Sequence, residues 1–334
     1  MRRAPPQHSS KPQLSFIRQR PPLPPSPDRR YSNFFKRCYE NMFIANVDRL
    51  KLIYAGSYSG LCYHTDGPSH TSINDCAAMT ALGLVVVDPV TPRHTRMLVD
   101  WALNPSLPTS VYFRLRRTPL PEVSLFDSFL PLNDADFSPA APITVTISPA
   151  APPAKKVGVI GPAWTRGEIE APAGTKDMGG WQAAVYTEEQ QKRLGVDEQG
   201  SSCEGRDRRG RVCFVVMGTV GLLLALECVK SSKAFAHASI SVVSALNTPL
   251  SPSDLSSWRR LLSSFSTIIC IEDDAGALHR HVCVMCVQLL SRAPPTVLSK
   301  RVERPGPSCR TFGDCLRFHG FTVADMEALA ASAV

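Results

Sequence analysis

At 334 residues, with 43% hydrophobic content, the chain is long and apolar enough for two ordinary domains and is excluded from the wholly disordered class. The formal charge of +8 invites nucleic acid or phosphorylated ligands, but much of it sits in two short runs. Phe16 alone falls within those runs, short of the repeated aromatics a single-strand binder requires, so nucleic acid is not expected as a partner.

The first run opens the chain. Arg2, Arg3, Lys11, Arg18, Arg20, Arg29 and Arg30 stand there against one acid, Asp28, and residues 1–30 hold eight of the 29 prolines. Proline lacks the amide donor and clashes with the preceding turn, so this segment reads as a disordered leader. Its Arg-rich, acid-poor composition leaves organellar targeting open beside the expected cytoplasmic location. The RPPLPPSP stretch at residues 20–27 fits a polyproline helix of the kind SH3-type grooves hold. The eleven cysteines fall mainly in apolar runs, among them Cys213, Cys228, Cys270, Cys283 and Cys286. They read as small buried hydrophobes kept reduced.

From residue 31 the pattern alternates. Residues 49–55 (RLKLIYA) suit a strand, residues 73–82 have helical spacing, and Leu84 opens a β-branched run, LVVV, fit for a buried parallel strand. Thr91 and Pro92 then supply an N-cap and a first-turn proline for a helix to about Leu103. Residues 110–115 (SVYFRL) make the next strand. Right-handed crossovers turn this βαβαβ order into a parallel sheet with helices on both faces.

Ten more prolines lie between Pro119 and Pro172, and a connection of about 90 residues is long for a compact protein. Residues 119–210 therefore read as an insertion or linker, with strand-like pieces at 143–147 and 157–160 and one polar helix at 187–194. A second αβ series follows over residues 211–334. Strands are expected at 212–217, 238–243 and 267–272, and helices at 220–230, 252–262, 276–291, 312–318 and 323–331. The apolar run at 212–226 is short of the roughly 20 residues a spanning helix needs, and Gly218 and Gly221 suit a strand turning into a helix. No membrane segment is expected. The fold class is thus α/β, with two consecutive parallel-sheet domains, 31–118 and 211–334.

Four segments in order resemble the transketolase family. They are YSNFFKRCYENMFIA at 31–45, AGSYSGLCYHTDGPSHTSIND at 55–75, LVVVDPVTP at 84–92 and VYFRLRR at 111–117. In the later block MGT at 217–219, the strand running into Glu272 and Asp273, and FHGF at 318–321 also fit. The resemblance implies the pyrimidine-binding and C-terminal domains of a thiamine diphosphate enzyme that moves a two-carbon ketol unit between sugar phosphates. The cofactor in that family lies between chains, so a homodimer or a separate diphosphate-domain subunit is the implied partner, with Mg²⁺ reached only through it.

Carried onto this sequence, the resemblance implies that Phe34 stacks on the aminopyrimidine, with Tyr31 beside it. It implies that Asp66 and His70 touch the reacting sugar, where paired acid and base groups suit proton handling, and that Arg117 clamps the substrate phosphate with charge-assisted donors. On residues alone, Phe34 reads as a core aromatic and Ser69 as a helix cap, while Arg114 and Arg116 leave open which arginine points inward. Several family features do not match. The Gly-Asp-Gly motif that anchors Mg²⁺ through oxygen ligands has only Thr65-Asp66-Gly67 as its nearest fragment, inside the sugar-contacting turn. The glutamate that activates the cofactor should precede Phe34, yet the first glutamate is Glu40. The phosphate-holding histidine expected near Ser57 is absent, with Tyr58 or His64 as substitutes, and the glycine-rich turn is GALH at 276–279. The chain is therefore expected to be inert alone. A pseudoenzyme or interaction subunit, and a β-subunit-like part of a 2-oxo-acid dehydrogenase, stand as rivals. The set His279, His281, Cys283 and Cys286 has zinc-like spacing, but Val282, Val284 and Val287 mark a buried helix wall, and no metal ligand is assigned.

Overall fold

The computed structural model describes residues 28–62, 64–116, 120, 123–145, 210–291 and 294–332. Residues 1–27 of the expected leader, the pieces expected at 157–160 and 187–194, and Arg117 lie outside them; the last three leader residues, 28–30, are not disordered but belong to a strand held by pairing with residues 54–56. Two five-stranded sheets form the frame, each with four parallel strands and one antiparallel edge.

The first sheet has the order β1 (Asp28–Tyr31), β2 (Ile53–Ser57), β4 (Val111–Leu115), β3 (Val85–Val87) and β8 (Ala245–Leu246). A 3₁₀ segment, Ser32–Cys38, leads from β1 into α1 (Tyr39–Val47). α2 (Asp75–Ala81) and α3 (Pro92–Leu103) flank β3. All three residues of β3 are buried, as expected of a β-branched strand covered on both faces. At the start of α3 the Thr91 side chain accepts the His94 amide, and Pro92 occupies the first turn, so the sequence signal is realised through the donors that a helix start leaves unpaired.

The second sheet runs β10 (Thr296–Lys300), β9 (Thr267–Ile271), β6 (Val212–Val216), β7 (Ser239–Val242) and β5 (Ile143–Val145). Around it lie α4 (Gly218–Ser231), α5 (Pro252–Ser264), α6 (Ala277–Leu289), α7 (Phe312–Phe318) and α8 (Val323–Ala331). Capping boxes open α5, α7 and α8 through Ser251 with Asp254, Thr311 with Asp314 and Thr322 with Asp325, each satisfying amides that would otherwise be orphaned. The apolar stretch expected as strand then helix is β6 followed by α4. Among the described residues no helix is long and apolar enough to cross a membrane.

Two segments cross between the halves. β8, from the second block, pairs with β3 of the first sheet, and β5, from the connector, pairs with β7 of the second. Residues 123–145 are packed down rather than extended. Trp258 Nε1 donates to the Ala140 carbonyl at 2.9 Å, and the Arg93 guanidinium donates to the Asp127 and Pro131 carbonyls at 2.8 and 2.7 Å. Both hydrophobic cores draw on both sheets. Val85, Val87, Val111 and Phe113 pack with Phe214, Val216, Ile269 and Ile271, while Val86 and Tyr112 share the other core with Cys213, Val215, Ile268 and Cys270. The period-2 alternation of the strands sends alternate residues to the two cores.

His94 is buried at this junction between Phe126 and Phe137. Its Nδ1 accepts the Val90 amide at 3.2 Å and its Nε2 faces Ser244 Oγ at 3.0 Å, which suits a neutral ring. Burial pushes its pKa down to about 3. The unfolded chain therefore takes up this proton first, near pH ~6.5. Stability from neutral His94 is full above that pH and is lost as pH falls towards the folded value, by up to about 1.4 kcal/mol per pH unit. Urea unfolding of wild type and His94→Asn between pH 7 and 4 should show a shallower acid loss in the variant. Equal slopes would contradict the neutral buried ring.

Candidate functional site

The carboxyl ends of parallel strands are where α/β sheets place their sites, and here the ends of the two sheets face each other. Asp88 follows β3, Arg114 and Arg116 close β4, and Asp273 and Asp274 follow β9. Arg114 NH1 reaches Asp88 Oδ2 at 2.6 Å and Asp273 Oδ1 at 3.0 Å, while its Nε and NH2 hold Asp75 at 3.1 and 3.2 Å. Arg116 bridges the same acids, with NH2 on Asp88 at 2.5 Å and NH1 on Asp273 at 2.6 Å. Tyr112 adds its hydroxyl to Asp75 at 3.2 Å, and the Leu61 amide donates to Asp273 at 3.1 Å. Burial works to raise the Asp273 pKa, but Arg116 and Arg114 outweigh it and hold the carboxyl below its usual range. Both arginines are fixed in the charged form despite their burial, chiefly by these aspartates.

Two glycines let the backbone approach this network. A Cβ on Gly60 would lie 1.9 Å from Asp273 Oδ2, and one on Gly218 would lie 2.5 Å from Asp88 Oδ2. Both have positive φ, 66° and 72°, so side chains are excluded twice over. Arg114 and Arg116 are thus engaged in internal pairing.

The residues expected to hold a cofactor and sugar lie at the rim of this junction. Phe34, in the 3₁₀ segment, is partly exposed, and its ring centroid is 5.4 Å from that of His70, edge to face. The Arg37 guanidinium stands 5.1 Å over the Phe34 ring, a cation–π distance. Phe35 takes the opposite role, fully buried against Tyr54 and Tyr112. Asn33 Nδ2 donates to the Ser69 carbonyl at 2.6 Å and Lys36 Nζ to Asn33 Oδ1 at 2.7 Å, so the aromatic segment is tied to the DGPSH turn. In that turn Asp66 is exposed and precedes the 3₁₀ segment Gly67–Ser69, and His70 Nδ1 lies 2.8 Å from Ser69 Oγ. Phe34 and His70 are therefore brought together, with Asp66 in the same turn. Tyr31 ends β1, with its side chain outside the description. His64 is buried under Phe312 of the second half, and burial lowers its pKa, which does not suit it to hold phosphate.

The second half also grips this turn. The Cys309 amide donates to the His64 carbonyl at 2.9 Å, and a Cβ on Gly67 would meet Ser308 Oγ at 2.7 Å.

Residues 28–122 match the family described as Transketolase, pyrimidine binding domain. This segment is similar to the transketolase pyrimidine-binding domain. No curated protein sequence matches the chain. Among solved structures, a split gene transketolase described as an inactive beta4 tetramer is similar, at 19% identity and TM-score 0.55 over 92% of this chain and 75% of that one. A transketolase from Leishmania mexicana, at 13% and 0.55, and one from Pichia stipitis with a bound sugar phosphate, at 13% and 0.58, are also similar. They cover 92% and 91% of this chain, which spans 34% and 33% of theirs. These likenesses support the transketolase-type fold: two mostly parallel sheets with their helices.

Sequence reasoning did not find the Arg114–Arg116 network. Its signal was an Arg-x-Arg at one strand end with acids at two others, and only the tertiary meeting of the sheets makes these one cluster. The quartet His279, His281, Cys283 and Cys286 does not converge. His279 Nε2 lies 3.5 Å from Cys283 Sγ, but His281 packs against Trp258. Removing one member of a buried ion network leaves uncompensated charge and costs about 3–5 kcal/mol. Arg114→Met should lose that much in urea unfolding, while Arg317→Met, at an exposed pair, should stay within about 0.5 kcal/mol of wild type. A loss below about 1 kcal/mol at Arg114 would refute the network's role.

Proposed function

We propose that the chain supplies the aminopyrimidine-holding half of a transketolase-type thiamine diphosphate site, completed by a partner chain, and that it does not turn over substrate alone. The observation that carries this reading is the pairing of Phe34 with His70 in the turn that also holds Asp66. A partly exposed ring offers a stacking face, and an acid and an imidazole beside it suit contacts to a hydroxylated substrate.

The residues fit one half of the cofactor and not the other. Phe34 and His70 fit an aromatic ring. The diphosphate needs a cation held by several oxygens, and among the described residues no group gathers around this corner to hold one. When bound, thiamine diphosphate would supply the carbanion chemistry of ketol transfer; the part assigned to this chain is to hold and orient. Arg117 is assigned to the substrate phosphate by resemblance only.

An exposed apolar face next to this corner supports a partner. On α1, Phe43, Ile44 and Val47 are about half exposed or more, and Leu50 follows, a patch that protein interfaces commonly cover. A homodimer or a diphosphate-domain subunit meets that requirement, and a sugar phosphate is the substrate class the reading implies. The non-catalytic alternative, an interaction subunit, shares the α1 face but needs no ring pocket.

The two readings separate in one titration. Thiamine diphosphate with Mg²⁺, followed calorimetrically on the full chain, should bind, and Phe34→Ala should weaken it by about tenfold or more, as the loss of a stacking face implies. Ketol transfer from a ketose phosphate should be absent. Binding indifferent to Phe34→Ala, or turnover by the chain alone, would overturn the proposal.

A further inference from the structure

Beneath the rim lies a second group of side chains that the cofactor reading does not use. Asp75 and Cys76 occupy the first turn of α2, and Asp274 stands in the turn after β9. One ligand atom from each lies within 4.8 Å of the others, and all three residues are buried. Among the described residues no other group of three or more His, Cys, Asp or Glu side chains comes so close.

The charges around this group are unevenly satisfied. Asp273 and the Oδ2 of Asp88 are paired with Arg114 and Arg116, though Asp88 Oδ1 is left without a partner, and Glu272 accepts the Leu278 and His279 amides at 2.8 and 3.0 Å. Asp75 shares Arg114. Asp274, 1% exposed, has one donor, the Cys76 amide at 3.1 Å on Oδ2, while its Oδ1 has no partner. A buried carboxylate oxygen without a donor is costly. Burial, with Asp75 and Glu272 adding to it, pushes the Asp274 pKa well up against the pull of Arg114. Burial lowers the pKa of the half-buried Lys36, against the pull of Asp75 and Asp274.

We propose that Asp75, Cys76 and Asp274 bind one borderline divalent cation of the zinc class at the junction of the two halves. Two carboxylates and a thiol are too few and too soft for Ca²⁺ or Mg²⁺, which take six or more oxygens. They match the three-ligand sites of zinc, whose fourth position is a water. Zinc–oxygen and zinc–sulfur bonds of about 2.0–2.3 Å place ligand atoms roughly 3.3–3.7 Å apart, so the three side chains close by about 1 Å. Arg114 and Tyr112 donate to the Asp75 carboxylate and fix its orientation, as partners of a metal ligand do. The cation gives Asp274 Oδ1 its missing partner and links α2 to the turn after β9. It is independent of the thiamine diphosphate reading.

Cobalt is the probe. The full chain, stripped with a chelator, is titrated with Co²⁺ and followed by absorbance. The expected result is one cobalt per chain with a near-ultraviolet thiolate-to-cobalt band, displaced by Zn²⁺, and a raised melting temperature. Cys76→Ser abolishes the band, and Asp274→Asn, which keeps an acceptor for the Cys76 amide, weakens binding about tenfold or more. Cys38→Ser and Cys283→Ser, at less buried thiols, leave the band unchanged, which keeps the test decisive if Cys76→Ser does not fold. No stoichiometric uptake, a spectrum without the thiolate band, or a band lost in Cys38→Ser or Cys283→Ser overturns the site.

Discussion

Two guanidinium groups hold the molecule's halves in register. Arg114 and Arg116, two residues apart at the end of β4, each reach an acid of their own half and Asp273 of the other. Buried charges of this kind are costly unless paired, and the pairings with Asp273 require the sheets to meet end to end. The two shared cores, the β8 strand added to the first sheet and the glycines at 60 and 218 all follow from that meeting. So does the position of the corner where Phe34 meets His70, because the DGPSH turn is packed against residues of the second half.

Much of the fold was legible because local signals and burial agreed. The LVVV run, the Thr91–Pro92 helix start and the two short C-terminal helices appear where residue periodicity and capping place them. β8 and β10 were not foreseen. Ala245–Leu246 is too short to show a period, and Thr296–Lys300 mixes polar with apolar residues at an edge. β1 was hidden because its DRRY sequence lacks β-branched residues, and it is made a strand by pairing with β2. The order of 123–145 comes from contacts such as Trp258 with Ala140, which no local pattern encodes.

The site was legible in a different way. Phe34, Asp66 and His70 were singled out through motif resemblance, and the fold does bring Phe34 and His70 side by side. Spacing alone could not separate Phe34 from Phe35, which sit next to each other and face opposite ways, one to the rim and one to the core. Nor could it tell that Arg114 and Arg116 would pair internally, since residues two apart at a strand end fall on the same face whatever they meet. The deciding factor is the partner acids, which come from 26 to 159 residues away.

The most direct measurement of this arrangement is a double-mutant cycle across the junction, combining Arg116→Met with Asp273→Asn and reading stability in urea. A charge network that joins the halves predicts a coupling of about 1–3 kcal/mol between the two changes. Additive losses, agreeing within about 0.3–0.5 kcal/mol, would mean that the halves meet without it.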